Sequence, residues 1–232
     1  MIIGKIAKSD SHINYVCQIF GPREVEVMPS SPDYAFGRFV RVAIRAGQDE
    51  DHEAEVLLGH SQEEPVSYAI GVIYDTILVN PQFGALGPRL SNETQIELFS
   101  PDYLSEKAVL TYIMILGMMV MHQSPEGASE VLSVMHGVPL LSLDLGSEIE
   151  TMTNEEVQAF HFFKDLAGDS HSPHPYLHMG YLPHIITQRN SLLPMVTLRI
   201  IDQLEHLFPQ SLALLSIVKR NFAWRLKVET TG

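Results

Sequence analysis

The feature that most limits what this chain can fold into is the rhythm of its first third. Short runs of alternating apolar and polar residues are broken by turn chemistry, and no helical stretch separates them. In Ile13-Asn14-Tyr15-Val16-Cys17-Gln18-Ile19 the odd positions Ile13, Tyr15, Cys17 and Ile19 share one face of a strand. Cys17 on that face reads as a core residue, because no neighbouring base or cation is placed to activate its thiol. Glu24 to Val27 alternates acid and valine as a half-buried strand, and Pro29 to Asp33 supplies a loop. Arg38 to Arg45 follows as a stronger strand entered through Gly37, with Val40, Val42 and Ile44 inward and Arg41 and Arg45 on the other face. Gln48 to Asp51 reads as an acidic hairpin tip. Glu53 to Leu58 and Val66 to Val79 complete the set, the latter interrupted at Gly71 and Asp75, where a bulge or bend is expected. Strands in series without intervening helices predict a barrel or sandwich, and a segment this short closes more readily than it stacks.

From Asn80 the texture changes. Pro81, Gly84, Gly87 and Pro88 form a connector. Its glycines are followed by neither the Lys-Ser or Lys-Thr of a phosphate-binding loop nor the spacing of a dinucleotide fingerprint. Ser100-Pro101-Asp102 carries a hydroxyl cap, proline at the first helical position and an acid at the positive end of the dipole. A helix is predicted from there to about His122, stopped by Ser124 to Gly127. Residues 128–150 allow strand or helix, with Val138 to Leu145 a short-strand candidate. Thr153-Asn154-Glu155-Glu156 is a capping box opening a helix through Phe160, Phe163 and Leu166 to Gly168. Ser191 caps another, with Leu193, Val196, Ile200, Leu204 and Leu207 at helical spacing. After Pro209 the stripe Leu214, Val218, Phe222 and Leu226 marks its antiparallel partner.

Composition sets the broad class. With 45% apolar residues in 232, the chain can build a core. Its longest apolar stretch, Ala108 to Met121, falls short of the about 20 residues that cross a bilayer, so no membrane span is expected. A single cysteine and no secretory leader imply a reducing, cytoplasmic setting. The net charge of −13 argues against nucleic acid as the main ligand. Residues from Ser191 onward carry +2 and the preceding ones −15, an asymmetry that suits protein docking at least as well as nucleic acid, direct binding of which through the basic C-terminal helix ranks last. On the last helix, Arg220, Arg225 and Trp224 are the interaction candidates, Trp224 being readable also as core.

Two places could carry chemistry. His171, His174 and His178 lie within eight residues, with Asp165, Asp169, His161 and His184 nearby, and could converge on Zn²⁺ or another transition metal. This is the basis for an alternative reading as a metal-dependent enzyme. The prolines and serines between them make a loop, so no helical spacing fixes two ligands on one face. Asp144 follows a possible strand, but reads as the start of a glycine-containing turn. No catalytic residue or cofactor site is otherwise indicated.

The strand pattern resembles the HAS-barrel family, the N-terminal barrel shared by HerA-like ATPases and ATP synthase subunits. The residues that carry the resemblance are Met1-Ile2-Ile3-Gly4-Lys5-Ile6, Gly37-Arg38-Phe39-Val40-Arg41-Val42 and Ala69-Ile70-Gly71-Val72-Ile73-Tyr74. The whole chain also looks like a hypothetical protein of cyanobacterial type that lacks the ATPase core. The resemblance implies a barrel that makes subunit contacts and docks partners without chemistry of its own. The expected organisation is α+β, with a small antiparallel β-barrel over residues 1–80, a connector over 81–99 and a mainly helical domain over 100–232. The expected function is protein interaction or assembly, by self-association or by docking on a HerA-like ATPase or its nuclease.

Overall fold

A computed structural model of the protein describes residues 1–21, 24–44, 65–79, 108–123, 129–163, 176–188 and 190–231. Six strands close into an antiparallel barrel: β1 (Ile2–Ser9), β2 (Asn14–Ile19), β3 (Phe39–Ile44), β4 (Val66–Val79), β5 (Ala108–Gln123) and a strand of residues Glu148–Thr151. A seventh strand, β6 (Ser129–His136), precedes that last one, which is therefore β7. The ring runs β2-β1-β7-β3-β4-β5 and is closed by pairing of β2 with β5. β6 joins the sheet outside the ring. One edge of β5 serves two partners, β2 along Leu110 to Met114 and β6 along Gly117 to Gln123, while β4 runs beside its other edge throughout.

The N-terminal alternation predicts the barrel interior. Tyr15, Cys17 and Ile19 of β2 and Val40, Val42 and Ile44 of β3 point into one apolar core with Ile3, Ile6, Ala69, Ile73, Ile113, Ile115 and Ile149. Burial pushes the Cys17 thiol up to about 12, the signature of an inert core thiol. β4 spans the expected residues, and its register shifts fall at Ile70/Gly71 and Ile73/Asp75, the two interruptions visible in sequence. Gly71 is required there: a Cβ would sit 2.7 Å from Ile113 Cγ2 and 3.0 Å from the Met114 carbonyl.

The largest departure is β5. The run Ala108 to Met121 is a strand of the barrel, where a helix ending near His122 is expected from its composition. Alternate residues enter opposite cores, Ile113 and Ile115 inside the barrel and Met114 and Leu116 beneath the helices. A strand buried on both faces loses its polar alternation and reads as one continuous apolar run. Two staves, β5 and β7, thus come from beyond residue 80, and the described residues between 108 and 151 are strand and loop where a mainly helical domain is expected. The helix-start signal at Ser100, the connector, Arg45, Gln48 to Asp51 and Glu53 to Leu58 lie outside the described residues.

Smaller corrections follow from contacts. Glu24 to Val27 is a turn with a single bridge, since the Glu24 carboxylate accepts the Gly21 N–H at 2.8 Å and Val27 stands exposed. Val138 to Leu145 is no strand. It crosses the barrel mouth, where His12 Nε2 donates to the Pro139 carbonyl at 2.6 Å and the Leu143 N–H donates to Tyr15 Oη at 3.0 Å. Asp144 is exposed and enters a turn completed by Gly146 at φ 82°.

The helices lie over the outer face of β3, β4 and β5. α1 (Asn154–His161) opens with the expected capping box, Thr153 with Glu156, but stops at His161 and passes into β8 (Phe162–Phe163), which pairs with β9 (Tyr176–Leu177). α2 (Leu182–Thr187), α3 (Leu193–Leu207) and α4 (Leu212–Thr231) follow. Ser191 does not cap α3; the Asn190 side chain instead accepts the Leu192 N–H at 2.9 Å. Leu193, Val196, Ile200 and Leu204 are buried as their spacing predicts. On α4 the inward residue is Leu215 rather than Leu214, followed by partly buried Val218.

Candidate functional site

The densest concentration of chemistry-bearing side chains lies where α1 and the segment before α2 meet the outer sheet. His136 comes from the end of β6, Phe160 and His161 from the last turn of α1, and His178 and Tyr181 from the approach to α2. His161 is fully buried. Its Nδ1 lies 2.7 Å from the Val157 carbonyl, which only accepts, so Nδ1 carries the proton. Its Nε2 lone pair then accepts from Tyr181 Oη at 2.7 Å. His136 has the opposite tautomer. Its Nε2–H donates to the Phe160 carbonyl at 2.9 Å, and its Nδ1 accepts the Gly180 N–H at 3.0 Å.

Both imidazoles are therefore neutral with both nitrogens committed. Burial pulls His136 down to about 4 and His161 down to about 3, with the charges of neighbouring histidines acting in the same direction. The rings interlock. His136 stacks on His178 with centroids 4.5 Å apart and planes at 9°, while Phe39 of β3 meets the edge of His161 at 5.4 Å. Gly180 is held close beneath: a Cβ there would lie 2.8 Å from the His178 ring.

A second cluster fixes the start of α1. Arg41, on the outer face of β3 as expected, donates to Glu150 of β7 at 2.6 and 3.1 Å and pairs with Glu156 of α1. Its guanidinium lies 4.7 Å from the Tyr68 ring centroid. Glu156 thus closes the capping box with one oxygen and takes Arg41 with the other. The two clusters pin α1 at both ends.

Of the three proposed metal ligands, His178 is built into the histidine cluster, its N–H donating to the His161 carbonyl at 2.9 Å. His171, His174, Asp165 and Asp169 lie outside the described residues. His161 cannot complete a metal shell, since a ligand needs a free lone pair and its only one is taken by Tyr181. His184 is directed elsewhere, its Nε2 3.2 Å from the Ile115 carbonyl. Among the described residues no group of three or more His, Cys, Asp or Glu is arranged to hold a metal ion. Arg220 is exposed on α4, and the Arg225 side chain lies outside the described residues. Trp224 is 68% exposed, which overturns its reading as core. Sequence inspection passes over His136 and Tyr181, whose partners lie 20 to 44 residues away and leave no local spacing to detect.

Fold and site together define a closed antiparallel barrel with a helical layer locked to its outer wall. Over residues 1–231 the chain matches the family described as a domain of unknown function (DUF8166), and it belongs to that family. No curated protein matches it significantly. No helix among the described residues is long and apolar enough to cross a membrane.

Proposed function

We propose that the protein is a non-catalytic interaction or assembly module, a barrel that carries a helical layer and presents surface to another protein. One observation carries this reading. Between Leu132 and Leu145 six large aliphatic side chains (Leu132, Met135, Val138, Leu140, Leu141 and Leu145) stand between 45% and 89% exposed. Exposed apolar residues scattered singly need no explanation, whereas a run of them marks a surface that is covered in use. Two further observations support it. The nitrogens of His136 and His161 serve the fold, and the basic stretch of α4 displays Arg220 beside an exposed Trp224. The barrel resemblance names a HerA-like ATPase or its nuclease as a heterologous partner. The test is cross-linking and co-purification from the native host, with wild type beside the Leu140→Glu/Leu141→Glu double variant. Adducts that the variant loses are expected. A chain recovered alone, and monomeric when concentrated, sinks the proposal.

A further inference from the structure

We infer that the surface running from β6 to Leu145 is a homotypic interface, seating the same surface of a second copy of this chain about a two-fold axis. The inference rests on the interaction reading above and adds the identity of the occupant.

The six exposed aliphatics, all within fourteen residues of chain, together present on the order of 700 Å², near the ~800 Å² per partner of a standard interface.

The chain carries −13, so two copies repel wherever their acidic surfaces face each other. From β6 to Leu145 the only full charges are Glu130, at the start of the strand, and Asp144, near the end of the segment. An apolar surface charged only near its two ends is complementary to itself, as a two-fold contact requires, whereas a steered heterologous site would carry the sign opposite to its partner.

Among the described residues β6 has one strand neighbour, β5, and none on its other edge, where an added strand would pair with backbone N–H and C=O groups. β6 contains no lysine, arginine or proline. It does carry a bulge: Val120 faces Ser133 and Met121 faces Val131, leaving Leu132 as the extra residue. That bulge lets Val131 and Val134 both face the helical layer while Leu132 turns outward. Two β6 strands placed antiparallel continue the sheet from one copy into the next. The mouth-crossing residues Val138 to Leu145 then lie where each covers the other's Leu132 and Met135.

Sedimentation of the full chain over a wide concentration range tests this. The expected species has twice the 26.0 kDa mass of the chain, and Leu140→Glu/Leu141→Glu shifts its dissociation constant upward by at least a hundredfold with an unchanged circular-dichroism spectrum, since both side chains are exposed. Single cysteines at Leu132, Ser133 and Met135 then report register. In a two-fold antiparallel pair one position faces its own copy, so one of the three is expected to form an intermolecular disulfide far faster than the others, with Cys17 too buried to compete. A dimer that survives the double variant and forms no cross-link overturns the face. A chain monomeric at every concentration overturns self-association. In that case a photo-cross-linker at position 140, read in the native host, separates the two failures: adducts with another protein leave the interaction reading standing, and none removes it too.

Discussion

The two hydrophobic cores lie on opposite faces of the same strands and are made of different chemistry. Inside the barrel the described walls are Ile, Val, Ala and Leu143, and the titratable groups among the described residues there are the phenols of Tyr15 and partly buried Tyr34 and the suppressed Cys17 thiol. Outside, between sheet and helices, the core holds Phe39, Phe160, Tyr68, Tyr181 and four methionines, together with two buried or half-buried neutral imidazoles. The inner core is specified by volume and register. The outer one also depends on which nitrogens carry protons. A single sheet therefore presents a wall insensitive to pH on one side and a pH-dependent fastening on the other.

The sharpest way to break the inner core is volume. Gly4→Val places a side chain against the Gln18 carbonyl and within 2.9 Å of Cys17 Sγ, where β1 meets β2. The clash is with backbone, so the expected loss exceeds about 3 kcal/mol and is read as a lowered urea midpoint or failure to fold. The outer core breaks with acid. Below pH 6.5 the unfolded chain protonates its histidines while folded His136 stays neutral down to about pH 4. The His136 contribution is therefore complete above pH 6.5, falls as pH drops through that window, and levels off below it. The contribution of His136 is about 3 kcal/mol, at about 1.4 kcal/mol per pH unit. Denaturant titrations at pH 6.5 and pH 5 should show the wild-type loss exceeding that of His136→Gln; equal losses would place the pH dependence elsewhere. Tyr181→Phe leaves the His161 Nε2 lone pair buried without a donor. It is expected to cost about 1–3 kcal/mol, measured by denaturation at neutral pH. The smallest effect is Thr153→Ala at the start of α1, about 1 kcal/mol, which a small drop in melting temperature would report.

Sequence legibility divides along the same boundary. β2 and β3 keep polar residues between their apolar ones, at Asn14, Gln18 and Arg41, so their alternation shows, while β4, buried on both faces from Tyr68 to Tyr74, is betrayed by its irregularities at Gly71 and Asp75. β5 is buried on both faces and mimics a core helix. β6 hides its period behind the bulge at Leu132, which puts Val131 and Val134 on one face at a spacing of three. The capping box of α1 is legible because Thr153 and Glu156 act within one turn. Its other end is not, because His161 is held by Tyr181 from twenty residues downstream. The histidine-rich loop draws attention through local density, whereas the cluster that forms draws one histidine each from β6, α1 and the segment before α2.

β5 has a mechanical consequence. Its 16 residues extend roughly 50 Å. The half that serves as a stave beside β2 and the half that backs β6 are one covalent span, braced along its whole length by β4. A load applied to β6 reaches the barrel wall as shear along hydrogen bonds rather than as bending at a joint. The span behaves as a girder, so anything seated on the outer edge shares the barrel's orientation.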